Sequence, residues 1–291
     1  MQHGWPALYT VLLWWVSTGV ILYLVGLPRD THKWTMGGTT IVLGISLLGV
    51  SVSAMDTRVT GAYLAFTAAL MVWAWQETGF LLGYITGPRR EPCPPLARGW
   101  ARAGHAFMAI LHHEIALLTL GAIIVALTWG KPNQLAVWTF GVLWLMRLSA
   151  KLNVFLGVRN LNEQFLPEHL RYLQTYFRQR PSNRLFPLSV IAITAMTVTA
   201  WHAAVTVRPG GLDGTSASFI AMLLTLALLE HWFMVLPLPS EKLWDWGMQS
   251  RTGSPWVRPY GKADDPVAGM AGPAMAAPEV ARAAPSTSAS N

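Results

Sequence analysis

The chain has 291 residues, 53% of them hydrophobic and only 12% charged, with 15 Trp and a net charge of +7. Soluble domains carry about 25% charged residues, so this composition excludes a water-soluble globular protein of ordinary surface, and equally a disordered chain. The single cysteine, Cys93, excludes a disulfide scaffold. The positive balance falls on no soluble domain, so it argues for membrane orientation rather than nucleic-acid binding.

A membrane-crossing helix needs about 20 mostly apolar residues. Seven continuous stretches meet that length, near 6–26, 36–55, 61–85, 106–129, 134–157, 187–207 and 216–237. They lack the ten-residue alternation of a β-barrel. The predicted fold class is therefore an all-α integral membrane protein, a bundle of about seven transmembrane helices forming one domain over 1–246. The first stretch has no Lys or Arg before it and is too long for a signal peptide, so it reads as a retained span. The second is rich in Gly, Ser and Thr, which suits close packing in lipid.

The loops alternate in charge. Those at 27–35, 86–105 and 158–186, with the tail after 237, hold sixteen Lys and Arg; the opposite side holds three, Arg58, Lys131 and Arg208. Positive loops stay inside, which predicts a periplasmic N-terminus and a cytoplasmic C-terminus.

Segment 86–105 begins Thr86-Gly87-Pro88 and packs four prolines into 88–95, which predicts a stiff extended strap. Cys93 lies in it without a partner for a redox pair or zinc site and reads as a bystander. In 158–186, Leu166, Leu170, Leu173 and Phe177 fall at helical spacing after Pro167, predicting an interfacial helix near 166–180, lying on the membrane or docked on another protein. Trp244 and Trp246 read as interface anchors. The tail, 247–291, is rich in Ala, Pro and Ser and is predicted to be disordered from about 263.

The spans themselves contain ionisable groups. Glu77, Glu114, Arg147, Lys151 and Glu230 all fall about 9–15 Å below the predicted cytoplasmic surface, at 1.5 Å per residue. His113 and His231 share that layer; His112 and His202 also lie in spans. Arg147 and Lys151, four apart, share a helix face. Charges in lipid are costly and normally face the bundle interior in pairs. The layer is either an ion-pair network that sets helix packing or a polar pocket for a cofactor head group or a partner's polar residue. By depth, His231 and His113 are candidates to ligate the magnesium of a chlorophyll or the iron of a haem, the alternative being a hydrogen-bonding role in the core. No Glu-x-x-His run, nucleophile elbow, P-loop or dinucleotide fingerprint occurs, so no catalytic or metal site is predicted.

Several segments together carry a resemblance. They are Gly61-Ala62-Tyr63-Leu64-Ala65-Phe66, Thr86-Gly87-Pro88 through Cys93-Pro94-Pro95, His113-Glu114, and Ser149 through Val158. Phe165-Leu166-Pro167, Asn183, Leu185-Phe186-Pro187 and Leu229-Glu230-His231-Trp232 through Pro239 complete the set. In order and spacing the chain resembles, over about residues 8–246, the photosynthetic-complex assembly proteins of the PuhE type found in purple phototrophic bacteria. The resemblance implies a non-enzymatic role in the bacterial inner membrane, with reaction-centre or light-harvesting subunits as partners beside the lipid bilayer and bacteriochlorophyll as the pigment handled. It brings no catalytic residue with it. The competing expectation is a membrane enzyme or carrier acting on a lipid or tetrapyrrole through the Glu/His layer.

Overall fold

The computed structural model describes residues 3–207 and 211–252; the predicted disorder from 263 lies outside them. Seven long helices run through it: α1 (Gly4–Gly26), α2 (His32–Ser53), α3 (Val59–Leu81), α4 (Gly99–Thr128), α5 (Leu135–Leu156), α6 (Leu185–Thr206) and α7 (Leu212–Phe233). A short α8 (Asp245–Thr252) follows. Among the described residues there is no strand, only an isolated bridge between Val158 and Gln179. Six of the long helices are apolar enough to cross a membrane. The seventh, α3, has a similar length but carries Gln76 and Glu77 and is the most enclosed of the set.

The odd-numbered helices form the inside. α1, α3, α5 and α7 contact one another, while α2 packs on α3, α6 on α7, and α4 on α5 and α3. Helix direction follows from paired residues. His3 meets Ser218 and Trp14 meets Glu230, a nearly constant offset, so α1 and α7 run parallel. Trp73 against Phe140 and Glu77 against Arg147 make α3 and α5 parallel. Trp201 with Thr225 and Phe186 with Trp232 make α6 and α7 antiparallel. Such alternation is what short connections between successive helices dictate.

The outer helices show bare apolar faces: Ile41, Ile45 and Leu48 on α2, Ile115 and Leu118 on α4, Leu188, Ile191 and Val198 on α6. In water such a surface is a liability; in lipid it is the solvated face. One end of the inner ring is closed by aromatics, with Phe66 stacked on Phe219 at 4.3 Å and Tyr63 and Tyr9 set edge-on around Phe219. Asn133 latches that end, its amide donating to the carbonyls of Ser53, Asp56 and Gly61.

The other end, where the proline strap lies, departs from several expectations. α4 begins at Gly99, seven residues before the predicted span. Arg102, expected in a loop, is buried in that added stretch. Its guanidinium stacks 3.9 Å from the centre of the Phe155 ring and donates to the carbonyls of Phe155 and Tyr176, which offset its desolvation. The strap is extended, as predicted, and passes close over α4. A Cβ at Gly87 would stand 2.2 Å from the Met108 carbonyl oxygen, so only glycine fits there.

The segment expected as an interfacial helix is a 3₁₀ segment, Glu168–Tyr176, docked on the bundle's own end. Its buried residues are Leu170, Leu173 and Tyr176, spaced by three as a 3₁₀ helix requires, and they pack with Phe80 and Ala109. The reading at 3.6 residues per turn chose Phe177 instead of Tyr176. Tyr176 also accepts from Arg89 Nε and donates to the Glu91 carbonyl, and Cys93 N donates to Thr175. These bonds fasten strap and segment to each other.

The two tryptophans expected as interface anchors are instead packing residues. Trp244 is buried, lies edge-on to Trp14 at 5.1 Å and donates to the Trp15 carbonyl. Trp246 sits over Gly19 of α1. α8 thus runs along the last turns of α1, where Gly19 and Gly247 allow the backbones to touch.

Candidate functional site

Between the aromatic plug and the strap end, the inner ring opens into a cavity of about 480 Å³. Its walls come from α1, α3, α5 and α7 with Ala106 and Ile110 of α4, and residues 160–177 and Trp244 close the end. Most of the wall is apolar or aromatic: Trp14, Trp73, Phe80, Met146, Phe165, Leu223 and Phe233 among others. The polar exceptions include Glu77, Arg147, Lys151, Glu230 and His231, five of the seven residues singled out from the sequence.

The charges pair largely as their depths required. Arg147 Nη2 donates to Glu77 Oε2 at 2.6 Å, joining α5 to α3. Lys151 Nζ donates to Glu114 Oε1 at 2.6 Å, joining α5 to α4. The spacing of four along α5 sends both cations to one side of the helix, where each finds an acid on a different neighbour. Glu77 is nearly enclosed, whereas the Arg147 side chain retains 42% exposure, turned onto the cavity it lines.

Glu230 is the unmatched acid. Three carboxylates face two cations in this layer, and Glu230 belongs to no ion pair among the described residues; it accepts from the Trp14 indole at 2.8 Å. Its open surface faces the cavity. A carboxylate on an apolar wall with one neutral donor is poised for a further donor or a proton.

The histidines separate. His231 lines the cavity, but both ring nitrogens are engaged. Nδ1 lies 2.8 Å from the Ala227 carbonyl, which can only accept, so in the neutral ring Nε2 takes the Ser149 hydroxyl at 2.9 Å. The imidazole is thus oriented by a serine and a backbone carbonyl, and by no glutamate. His113 is fully buried outside the cavity wall, against Phe80 at 4.6 Å, with neither ring nitrogen hydrogen-bonded. His112 on the same helix is exposed, as neighbours about 100° apart must be.

Three site residues escaped the sequence reading. Trp14 and Ser149 are the partners of Glu230 and His231, and Asn160 caps the C-terminus of α7, its amide donating to the Phe233 and Leu236 carbonyls. Asn160 stands in a loop among turn formers, and only its type, able to satisfy two terminal carbonyls at once, hints at the role. Among the described residues no group of three or more His, Cys, Asp or Glu is placed to hold a metal ion.

A helical ring with lipid-compatible outer faces, an interior cavity and ion pairs within the apolar layer defines a multi-pass membrane protein. The chain belongs to the family described as "Protein of unknown function (DUF3623)", which matches residues 1–254. It is 40% identical over 258 residues to an uncharacterized 30.4 kDa protein in the puhA 5' region of Rhodobacter capsulatus, with 86% of this chain and 93% of the relative covered. No solved structure matches.

Proposed function

We propose that this protein is a non-catalytic assembly factor for the photosynthetic reaction centre and its antenna in the bacterial inner membrane, and that its cavity handles bacteriochlorophyll. It crosses the membrane seven times, with the N-terminus periplasmic and the strap end cytoplasmic. The observation that carries this reading is the relative in the puhA 5' region of a phototroph, matched over nearly its whole length. The PuhE-type resemblance points the same way. The cavity supports it: about 480 Å³ lies in the range of small-molecule sites, about 300–1,000 Å³, and its wall is apolar with a few polar groups.

The fit to a bacteriochlorin is specific about which residues take part. Trp14, Trp73 and Phe80 offer flat apolar surface. His231 is the one histidine of the two candidates at the cavity, and its Nε2, held by the Ser149 hydroxyl, would be the atom to hold a pigment's magnesium. His113 does not reach the space. Arg147 would donate to a peripheral carbonyl or ester oxygen, and Glu230 would do so only in its protonated form.

The test is affinity purification in mild detergent from pigmented membranes, with an absorption spectrum and identification of the proteins that co-purify. Photosynthetic subunits in the eluate, together with a deletion strain that makes chemically normal pigment but fewer complexes, are the expected outcome. A missing pigment modification with its precursor accumulating overturns the assembly role in favour of an enzyme.

A further inference from the structure

The strap end carries a second constellation, separate from the cavity. His169, in the 3₁₀ segment Glu168–Tyr176, packs against His32 at the start of α2, with ring centres 6.5 Å apart. It lies against the backbone at Gly83, where an added Cβ would stand 3.1 Å from His169 Nε2. Arg90, from the strap, donates to the Gly83 carbonyl at 3.1 Å. Arg29 sits one turn before His32 and acts on the same imidazole.

These groups are cationic or able to become so, and none of Arg29, His32, Arg90 or His169 belongs to an ion pair among the described residues. The groups facing His169 from the neighbouring elements are Arg29, His32 and Arg90, with the Leu81 carbonyl the one countervailing acceptor. Glu168, its neighbour in sequence, is exposed. Burial first, and the Arg29 charge second, hold the His169 imidazole below the ordinary histidine range. Its Nε2 is buried and makes no hydrogen bond.

The level of this cluster is marked by two tryptophans. Trp34, in the first turn of α2, is 75% exposed, and Trp100, in the first turn of α4, is 92% exposed. Exposed tryptophan at the ends of membrane helices belongs at the lipid headgroup level. Lys33 lies 5.6 Å from the Trp34 ring, its amine at the same height.

We infer that Arg29, His32, Arg90 and His169 form a binding site for the phosphate headgroup of an anionic phospholipid. The cations converge from three chain segments, and basic clefts between membrane helices recognise such headgroups. The tryptophans at the same height favour a lipid over a soluble phosphate. Binding is coupled to protonation. The cluster alone disfavours the His169 imidazolium and a bound phosphate favours it, so affinity rises as pH falls through the histidine range.

Native mass spectrometry of the full chain tests this, with the protein released from mixed phosphatidylglycerol and phosphatidylcholine. Wild type retains phosphatidylglycerol selectively. The double variant Arg29→Gln/Arg90→Gln loses that retention about thirtyfold, from about 1 kcal/mol per basic residue at an anionic surface. Arg58→Gln, at the other end, leaves it unchanged. His169→Gln, which keeps the shape, flattens the pH dependence and serves if the double variant misfolds. Equal retention of both lipids, or of phosphatidylglycerol in the double variant, overturns the site. Inorganic phosphate that displaces the lipid at low millimolar concentration overturns the lipid assignment in favour of a soluble anion. None of these outcomes depends on the assembly role.

Discussion

Trp14 and Glu230, 216 positions apart in the chain, meet at 2.8 Å with the indole Nε1–H donating to the carboxylate. The bond ties α1 to α7 on the cavity wall and leaves the other side of the carboxylate facing space. Glu230→Gln keeps an oxygen for the indole and is expected to fold normally. Glu230→Leu strands the indole and is expected to cost about 1.5 kcal/mol, the low end for a hydrogen bond to a charged group because the carboxylate lines an open cavity. Thermal unfolding of the two variants in one detergent checks the difference.

Arg147 and Glu77 are coupled more tightly. Arg147→Leu leaves Glu77, nearly enclosed, without its cation. Breaking a fully buried pair costs about 3–5 kcal/mol; the 42% exposure of the Arg147 side chain reduces this to about 1–3 kcal/mol. The double variant Glu77→Leu/Arg147→Leu is expected to recover most of the loss. A double variant less stable than Arg147→Leu alone would show that the two residues do not act as a pair.

Gly247 and Gly19 meet where α8 crosses α1. A Cβ at Gly247 would stand 2.4 Å from the Gly19 carbonyl oxygen, which is backbone and cannot step aside. At Gly19 the obstacle is the Trp246 ring, which can turn. Gly247→Ala is therefore expected to be the more damaging, by about 1–3 kcal/mol, and to make residues 240–252 open to protease. Equal cleavage of wild type and Gly247→Ala counts against the docking of α8.

The proposed orientation makes a sharp statement about loops. Alkaline phosphatase fused after residue 132 is expected to be active, and fused after residue 180 inactive. The reverse pattern inverts the protein.

For pigment, the geometry ranks the histidines. Near-infrared absorption of the purified protein is expected to vanish in His231→Leu and persist in His113→Leu. Ser149→Ala, which frees Nε2, is expected to hold pigment at least as well as wild type. Pigment retained in His231→Leu would remove axial ligation by this residue.

The helices were legible because lipid imposes a simple rule, about 20 apolar residues per crossing. The charged layer was legible for the same reason: Glu77, Glu114, Arg147 and Lys151 stand out where charge is expensive, and depth alone brought them to one level. Their pairing needed three dimensions. Nothing in sequence says that Arg147 turns to α3 while Lys151 turns to α4. The misreadings fall outside the apolar runs. Arg102 lies in the first turn of a helix that hydropathy starts later, because carbonyls and an aromatic face solvate its charge. Residues 168–176 follow a period of three, which over so short a stretch is hard to tell from 3.6. Trp244 packs on Trp14 and Trp246 over Gly19, contacts with α1 that composition does not reveal.

The parallel inner ring has a consequence for biosynthesis. α1 is made well before two of its partners, α7 and α8. At about 5–20 residues per second, the 216 positions from Trp14 to Glu230 take about 10–40 s to synthesise. For that interval Tyr9, Trp14 and Gly19 wait in the bilayer without their final neighbours. A product truncated before α7 keeps that seam open permanently, so closure of the ring reports that synthesis has passed α7.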